Sequence, residues 1–217
     1  MENKPTNRDM GRDLSDMHDL AVLELEDCRR CGLWKARTRI VNGSGNPRAA
    51  VMFTGEAPGK AEDLKGIGFQ GQAGKIFEAL LSYLGLSRET IWLNNAIRCR
   101  PLNGRKNRTP RMGEIEACRP WLLQDMETVD PKVVVTLGRI AYESVSGRQD
   151  FTEKRGRLLD ISGGPALFPL FHPAYLIYRR ASRQLMCHDL MELGRYLDEI
   201  GIDRAKQTRP GDVFCES

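Results

Sequence analysis

Short apolar runs alternate with amphipathic stretches along most of this chain. Four of the runs are short, apolar and bounded by turn residues, so they predict buried strands. These strands span 49–54, 90–96, 131–137 and 167–171. The third run is the clearest, because three valines follow one another within it. Continuous apolar runs of this kind are typical of parallel strands that are covered on both faces.

Between the strands, apolar residues recur at the spacing of amphipathic helices. The predicted helices lie at 14–25, 74–84, within 110–129 and at 182–200, with one more after Gly138. Strands that alternate with helices predict an α/β fold. We therefore expect a three-layer α/β/α sandwich around a central, mostly parallel four-stranded sheet.

Polar residues follow three of the predicted strands. The loop 55–59 reads Gly-Glu-Ala-Pro-Gly, Asn94 and Asn95 lie at the end of the second strand, and His172 follows the fourth. In open parallel sheets, ligands bind beyond the carboxyl ends of the strands. We therefore expect these residues to share one site.

The length and composition fit one globular domain. The chain has 217 residues, of which 41% are hydrophobic and 29% charged. We expect the domain at 13–202, a flexible N-terminus at 1–12 and a C-terminal tail at 203–217. The sequence has no apolar run of about 18 residues, so we expect no membrane span. The polar N-terminus resembles no signal peptide, so we expect a cytoplasmic protein, prokaryote-like and nucleoid-associated.

Basic residues flank the candidate site. The net charge of +4 is mild and alone would not indicate nucleic-acid binding. Its distribution says more, because two basic groups carry no acidic residue. They are Arg98, Arg100, Arg105, Lys106, Arg108 and Arg111, and then Arg179, Arg180 and Arg183. These groups could bind phosphates or simply be solvated loops.

Cysteine spacing indicates a metal centre. Six cysteines without a signal peptide favour metal ligation over disulfides. Cys28 and Cys31 form a Cys-x-x-Cys pair, and Cys99 and Cys118 each open a Cys-Arg-Pro triplet. Such a set could hold an iron–sulfur cluster or zinc. A zinc ribbon usually has two close pairs, whereas this chain has one, so the pattern fits a cluster better.

Two further features suit a flat ligand. Gly55 and Gly59 allow close backbone approach, and Pro58 stiffens the loop that carries Glu56. Phe69 stands among glycines, so it could stack on a ligand from an exposed loop or close the core beneath that loop.

Several ordered motifs together resemble the family-four uracil-DNA glycosylases, the iron–sulfur members of the uracil-DNA glycosylase superfamily. The motifs run from 55 to 75, then Asn95-Ala96-Ile97-Arg98-Cys99-Arg100-Pro101, 114–120, 136–139 and His172-Pro173-Ala174-Tyr175. The resemblance covers most of the chain, from Cys28 to His188. It implies an α/β/α fold, a structural [4Fe–4S] cluster, and removal of uracil from DNA at the start of base excision repair.

The chemistry of N-glycosidic hydrolysis assigns roles to the candidate residues. Positive charge develops on the sugar and negative charge on the departing base. Glu56 can position water or stabilise the sugar cation, and His172 can donate to the base. Asn95 offers a donor and an acceptor to the uracil edge, with Asn94 as the alternative if the strand register is one residue off. Gly55, Ala57, Gly59 and Phe69 are expected to contact the base.

A base in a duplex must be flipped out before it can react. Tyr175 and Leu176 could fill the gap as apolar wedges, or could pack inward as the start of the last helix. Arg179, Arg180, Arg105 and Lys106 are the expected phosphate contacts. We expect a monomer that acts on uracil-containing DNA.

Some alternatives remain open at this point. An insertion after Cys99 leaves either Asn103 or Asn107 at the family's asparagine position. The substrate could be another deaminated base, such as hypoxanthine or xanthine. The chain could also be a non-catalytic iron–sulfur DNA-binding protein or an electron carrier.

Overall fold

A five-stranded sheet forms the centre of the molecule in this computed structural model, which describes residues 28–161, 163–179 and 181–205. The strands are β1 (Ser44–Gly45), β2 (Val51–Gly55), β3 (Trp92–Asn95), β6 (Val133–Leu137) and β7 (Ala166–Leu170), in the order β1-β3-β2-β6-β7. All neighbours are parallel except β1, which pairs antiparallel with β3. The α/β fold and its four parallel strands are confirmed.

The expectation of four strands in the sheet was wrong by one. The strand that was not predicted is β1. It has two exposed residues and no apolar side chain, so it contains no hydrophobic run that would indicate a strand. A separate two-stranded hairpin, β4 (Leu102–Asn103) and β5 (Lys106–Asn107), follows Cys99. It consists mainly of exposed residues and was not predicted either.

Seven helices are assigned within the described residues. They are α1 (Lys60–Lys65), α2 (Gln72–Leu84), α3 (Met112–Val129), α4 (Arg139–Ser146), α5 (Phe151–Lys154), α6 (Pro173–Tyr178) and α7 (Ser182–Glu199). A short 3-10 helix, Gly32–Lys35, precedes them. The four helices predicted downstream of residue 73 are confirmed as α2, α3, α4 and α7. The helix predicted at 14–25 and the flexible segment at 1–12 lie outside the described residues.

Alternating side chains on the sheet pack against helices on both faces. Val133 and Val135 contribute to the core shared with α2 and α7, whereas Val134 packs with α3 and α4 on the other face. This alternation follows the two-residue period of a strand. The three-layer sandwich is therefore present, and the loops after β2, β3 and β7 emerge at one edge of the sheet.

The C-terminal part of the folded body extends past the boundary expected at residue 203. Arg204 donates to the carbonyl oxygens of Leu84 and Gly194 and pairs with Asp198. The backbone N–H of Ala205 donates to Gly85. None of the helices in the described part of the chain is both long and apolar enough to cross a membrane.

The buried stripe of α7 generates a stability prediction. Leu190 is fully buried in the core, whereas Leu185 on the same helix is 50% exposed. We expect Leu190→Ala to lower the free energy of unfolding by about 2–5 kcal/mol, because it leaves a cavity. Leu185→Ala, the matched control, should change it by less than about 0.5 kcal/mol. Chemical denaturation measures both, and equal losses would contradict the packing described here.

Candidate active site and cysteine pocket

A cleft of ≈ 450 Å³ opens at the carboxyl ends of the strands. Six of the predicted site residues line it: Glu56, Ala57, Gly59, Phe69, Asn95 and His172. They come from the loops after β2, β3 and β7 and from the glycine-rich segment before α2. Residues distant in sequence therefore meet in one concave site, as expected for a parallel sheet.

Glu56 follows the last residue of β2 and is only partly exposed. Its backbone is fixed, because Ile97 N–H donates to the Glu56 carbonyl oxygen at 3.2 Å. Burial raises the pKa of the Glu56 carboxyl, and the Arg139 guanidinium opposes part of that rise. Arg139 begins α4 directly after the turn that follows β6. Its influence on Glu56 was not foreseen, because the two residues are far apart in the sequence.

His172 caps the N-terminus of α6. Its Nδ1 accepts a hydrogen bond of 3.1 Å from the backbone N–H of Ala174. Burial lowers the pKa of His172 to about 4, with an opposing influence from the charge of Glu62. The imidazole is therefore neutral at pH 7. Because Nδ1 accepts, the single ring proton lies on Nε2, which can donate into the cleft.

The strand register assigns different surroundings to the two asparagines of β3. Asn95 lines the cleft and, within the described residues, its side chain makes no hydrogen bond. Asn94 points to the other face, where its Nδ2 donates to Asp125 Oδ2 at 2.6 Å. Successive strand residues face opposite ways, so only one of the two can reach the cleft. The structure selects Asn95.

Phe69 is buried and lines the cleft at the same time. Only 7% of it is exposed, and its ring centroid lies 4.6 Å from that of Phe77 and 5.9 Å from that of His172. The alternative in which Phe69 closes the core is therefore correct in part, and the expectation of a flexible, exposed aromatic was wrong. The ring still borders the space where a ligand would lie.

The backbone at Phe69 is left-handed, with φ of 55°, which is costly for a residue with a side chain. Two side chains hold it. Arg88 donates to the carbonyl oxygens of Gly68 and Phe69 at 2.8 Å each. Glu62 Oε1 accepts from the backbone N–H groups of Gln70 and Gly71 at 2.8 and 3.0 Å. These clamps were not predicted, because neither residue lies in the loop.

Gly55 is needed for close packing at the floor of the cleft. A Cβ atom at this position would collide with Asn95 Oδ1 and lie 2.8 Å from Phe69 Cζ. Gly74 plays a similar part, because a Cβ there would overlap the carbonyl oxygen of Phe69. Small residues at these two points let Asn95 and Phe69 sit side by side.

The hairpin after Cys99 distinguishes the two candidate asparagines near the insertion. Asn107 lines the cleft, whereas Asn103 is exposed on the hairpin away from it. Arg100 Nε donates to Asn107 Oδ1 at 2.6 Å, and Arg108 forms a bidentate pair with Glu114. Arg105 and Lys106 remain exposed at the hairpin turn.

The predicted DNA contacts in helix α6 and directly after it differ in their exposure. Leu176 is fully buried in the core, so its expected role as a wedge is not supported, and the alternative of inward packing holds. Tyr175 is 43% exposed and stacks on Phe171 at 5.0 Å. Arg179 is exposed at the end of the helix, and Arg180 lies outside the described residues. Tyr178, which is 82% exposed and borders the cleft, was not predicted.

All four predicted cysteines line one small pocket beneath α3: Cys28, Cys31, Cys99 and Cys118. Two sulfurs accept hydrogen bonds, Cys99 Sγ from Arg37 at 3.6 Å and Cys118 Sγ from the backbone N–H of Arg98 at 3.3 Å. Burial raises the pKa of the Cys118 thiol to about 11 and also raises that of Cys99. Among the described residues, no three His, Cys, Asp or Glu side chains are arranged to hold a single metal ion.

Comparisons with known proteins agree with this geometry. A family model described as the uracil DNA glycosylase superfamily matches residues 42–193. A type-4 uracil-DNA glycosylase of Saccharolobus solfataricus is 38% identical over 82% of this chain and 85% of its own length. A type-4 uracil-DNA glycosylase of Thermotoga maritima is 34% identical over 86% and 97%, respectively. A type-5 uracil-DNA glycosylase of Pyrobaculum aerophilum is 30% identical over 68% and 71%.

The environment of His172 predicts a pH dependence of stability. Its pKa is about 4 in the folded chain, against an ordinary value of 6.5. Between these values the unfolded chain binds more protons, so stability falls as the pH drops from about 6.5 towards 4. The melting temperature should therefore fall more steeply with decreasing pH in this range for the wild type than for His172→Gln.

Nitrogen-15 NMR of the histidine rings provides the matching control. We expect His172 to remain neutral, with the proton on Nε2, until the pH falls to near its pKa of about 4. A His172 ring that is already protonated near pH 6.5, the ordinary pKa of histidine, would contradict this description of the site.

Proposed function

The chain belongs to the uracil DNA glycosylase superfamily, and from that premise we propose that it is a uracil-DNA glycosylase. It hydrolyses the N-glycosidic bond of uracil in DNA and so initiates base excision repair. The observation that carries this proposal is the convergence of Glu56, Asn95 and His172 on one cleft. The similarity to type-4 uracil-DNA glycosylases over most of both chains supports the same activity.

The reaction breaks the bond between the sugar C1′ and uracil N1. The electron pair of that bond leaves with the base, and C1′ develops positive charge. Water then forms a bond to C1′ and loses one proton, while the base gains one overall. The site must therefore stabilise a cation at the sugar and an anion at the base.

Glu56 is our candidate for the sugar side. Its carboxylate is partly buried beside the cleft, where a negative charge acts more strongly than in water. It can stabilise the developing cation and accept the proton of the attacking water. The Arg139 guanidinium favours the charged carboxylate and so opposes the effect of burial.

His172 is our candidate for the base side. The hydrogen bond from Ala174 occupies Nδ1, so the Nε2 proton is directed at a ligand. A neutral imidazole can donate a hydrogen bond from Nε2 to the departing uracil anion while it keeps its proton. Donors that are already in place stabilise a developing charge with little reorganisation.

Asn95 and Phe69 are the candidates for recognition of uracil. The amide of Asn95 presents a donor and an acceptor, and its neighbours leave it unpartnered within the described residues. Uracil offers the complementary pair at its edge. The Phe69 ring forms an apolar wall, held in position by the clamps from Arg88 and Glu62. Ala57 and Gly59 complete the binding surface.

DNA would lie across the mouth of this cleft. Tyr175 and Tyr178 provide exposed aromatic surface for the gap left by a flipped base. Arg179, Arg105 and Lys106 are exposed and suit phosphate contacts, and Arg180 remains a proposed contact from sequence alone. We propose that the protein acts as a monomer, in the cytoplasm where prokaryotic DNA lies.

The cysteine pocket suits a [4Fe–4S] cluster of structural function. Four thiols line it, and two of their sulfurs already accept hydrogen bonds, as cluster sulfurs do. A cluster is larger than one ion, so its thiolates stand farther apart than the four sulfurs about 2.3 Å from a zinc ion. The spacing of the cysteines, one Cys-x-x-Cys pair and two distant cysteines, also suits a cluster better than a zinc ribbon with two close pairs. When bound, it would brace the segments that flank the cleft.

The proposed activity predicts uracil release from a labelled oligonucleotide. Glu56→Gln should lower the rate by about 10²- to 10⁴-fold, because it removes the general base and the negative charge. Asn95→Ala should lower kcat/KM at least about tenfold through lost hydrogen bonds to the base. Asn94→Ala is the matched control. It should release uracil at a rate close to that of the wild type, since Asn94 faces Asp125 and not the cleft.

Oligonucleotides that contain hypoxanthine or xanthine test the alternative that the protein is a glycosylase for other deaminated bases. Release of these bases but not of uracil would replace the proposed substrate. Salt-sensitive DNA binding without release of any base would favour a non-catalytic protein. Activity that survives the loss of both Glu56 and His172 would exclude this cleft as the active site.

The proposed cluster predicts a brown protein after anaerobic purification, with iron and acid-labile sulfide in equal amounts. Cys118→Ser should lose most of both, because it removes one of the proposed ligands. Leu123→Ser, at an exposed position of the same helix and outside the ligand set, is the matched control and should retain them. Stoichiometric zinc in place of iron and sulfide would contradict the cluster.

A further inference from the structure

Arg98 is an unusual residue for the interior of this protein. It follows β3, only 2% of it is exposed, and it is among the largest fully buried side chains. Its Nη2 donates to Asp125 Oδ2 at 2.5 Å and to the Trp121 carbonyl oxygen at 3.2 Å. Its Nε and Nη1 are buried without a hydrogen-bond partner. Leaving charged donors unsatisfied in the interior is costly, so these two nitrogens require an explanation.

The ion pair with Asp125 does not supply that explanation. Asp125 Oδ2 already accepts from Trp92 Nε1 at 3.2 Å and from Asn94 Nδ2 at 2.6 Å, besides Arg98. Only one nitrogen of the guanidinium takes part in the pair. If Arg98 served only to pair with Asp125, its Nε and Nη1 donors would not have to be buried without partners.

The position of Arg98 supplies a second observation. Arg98 lines the pocket formed by the four cysteines, and its backbone N–H donates to Cys118 Sγ at 3.3 Å. Arg98, with its two unpartnered nitrogens, and the four cysteines therefore line the same pocket.

We propose that the Arg98 guanidinium donates hydrogen bonds through Nε and Nη1 to the sulfur atoms of the bound cluster and serves as its buried counter-charge. This inference rests on the proposed function, which assigns a [4Fe–4S] cluster to the four cysteines. A cluster held by four thiolates is anionic. Net charge and hydrogen bonds to the sulfurs are two of the factors that set its reduction potential.

Arg98 is thus a positioning residue of the cysteine pocket. Its Nη2 is held by Asp125 and by the Trp121 carbonyl oxygen, which leaves Nε and Nη1 for the cluster sulfurs.

The test compares Arg98→Met, Arg98→Lys and Asp125→Asn in the iron-loaded protein. Reduction by dithionite adds one electron to the cluster and makes it more negative, so loss of the nearby positive charge should disfavour reduction. We expect Arg98→Met to lower the midpoint potential by at least about 59 mV, a tenfold change in the equilibrium for one electron. Iron loss to a chelator should become at least tenfold faster.

The two other variants separate this role from a structural one. Arg98→Lys keeps the charge but not the forked donors, so it should recover most of the potential and only part of the resistance to chelation. Asp125→Asn removes the ion pair but leaves the cluster contacts, and it should not lower the potential. Resonance Raman bands of the iron–sulfur bonds should shift in Arg98→Lys and remain in place in Asp125→Asn.

Two outcomes overturn the inference and are distinguishable from failure of the proposed function. An iron-loaded Arg98→Met protein with an unchanged potential and unchanged iron loss would show that Arg98 does not contact the cluster. Equal effects of Arg98→Met and Asp125→Asn on the midpoint potential and on iron loss would show that Arg98 acts only through its ion pair with Asp125. If Arg98→Met fails to fold, an unshifted Raman spectrum in Arg98→Lys overturns the inference equally. A wild-type protein without iron would instead remove the cluster itself, while the uracil assay remains independent.

Discussion

The parallel register between β2 and β3 is the constraint on which the site depends. It pairs Gly55 with Asn95 and Thr54 with Asn94. Gly55 therefore lies beside the side chain of Asn95, and its lack of a Cβ leaves room for that side chain and for Phe69. A slip of one residue would turn Asn94 towards the cleft and Asn95 towards Asp125. The buried runs on both faces of the sheet prevent such a slip, because it would reverse every side chain of the strand.

Strain and burial around the cleft are offset by specific polar contacts. The left-handed backbone at Phe69 is held between Arg88 and Glu62, which bond the peptide groups on either side of it. The neutral imidazole of His172 is fixed by one hydrogen bond to the first turn of α6. Similar reasoning applies to Arg98, because only one of the three nitrogens of its buried guanidinium has protein partners. In each case a feature that would destabilise the fold by itself lies beside the candidate active site or the cysteine pocket.

Much of the fold and the outline of the site could be predicted from the sequence. The four parallel strands are apolar runs, and their polar ends converge at one edge of the sheet for topological reasons. Two residues such as those of β1, without apolar side chains, carry no such signal. The burial of Leu176 could not be separated from exposure, because α6 has only six residues and shows no clear periodicity. Arg88 and Glu62 were missed since their partners are backbone groups, which leave no trace in side-chain patterns. The choice of Asn107 over Asn103 required the geometry of the hairpin.

A crystal structure of the Glu56→Gln variant with uracil-containing DNA would test the proposed site most directly. We expect a flipped uracil in the cleft, with its edge hydrogen-bonded to the Asn95 amide. One uracil carbonyl oxygen should lie within hydrogen-bond distance of His172 Nε2, and the ring should rest against Phe69. A uracil bound elsewhere, or bound with its edge turned away from Asn95 and His172, would contradict the roles assigned to these residues.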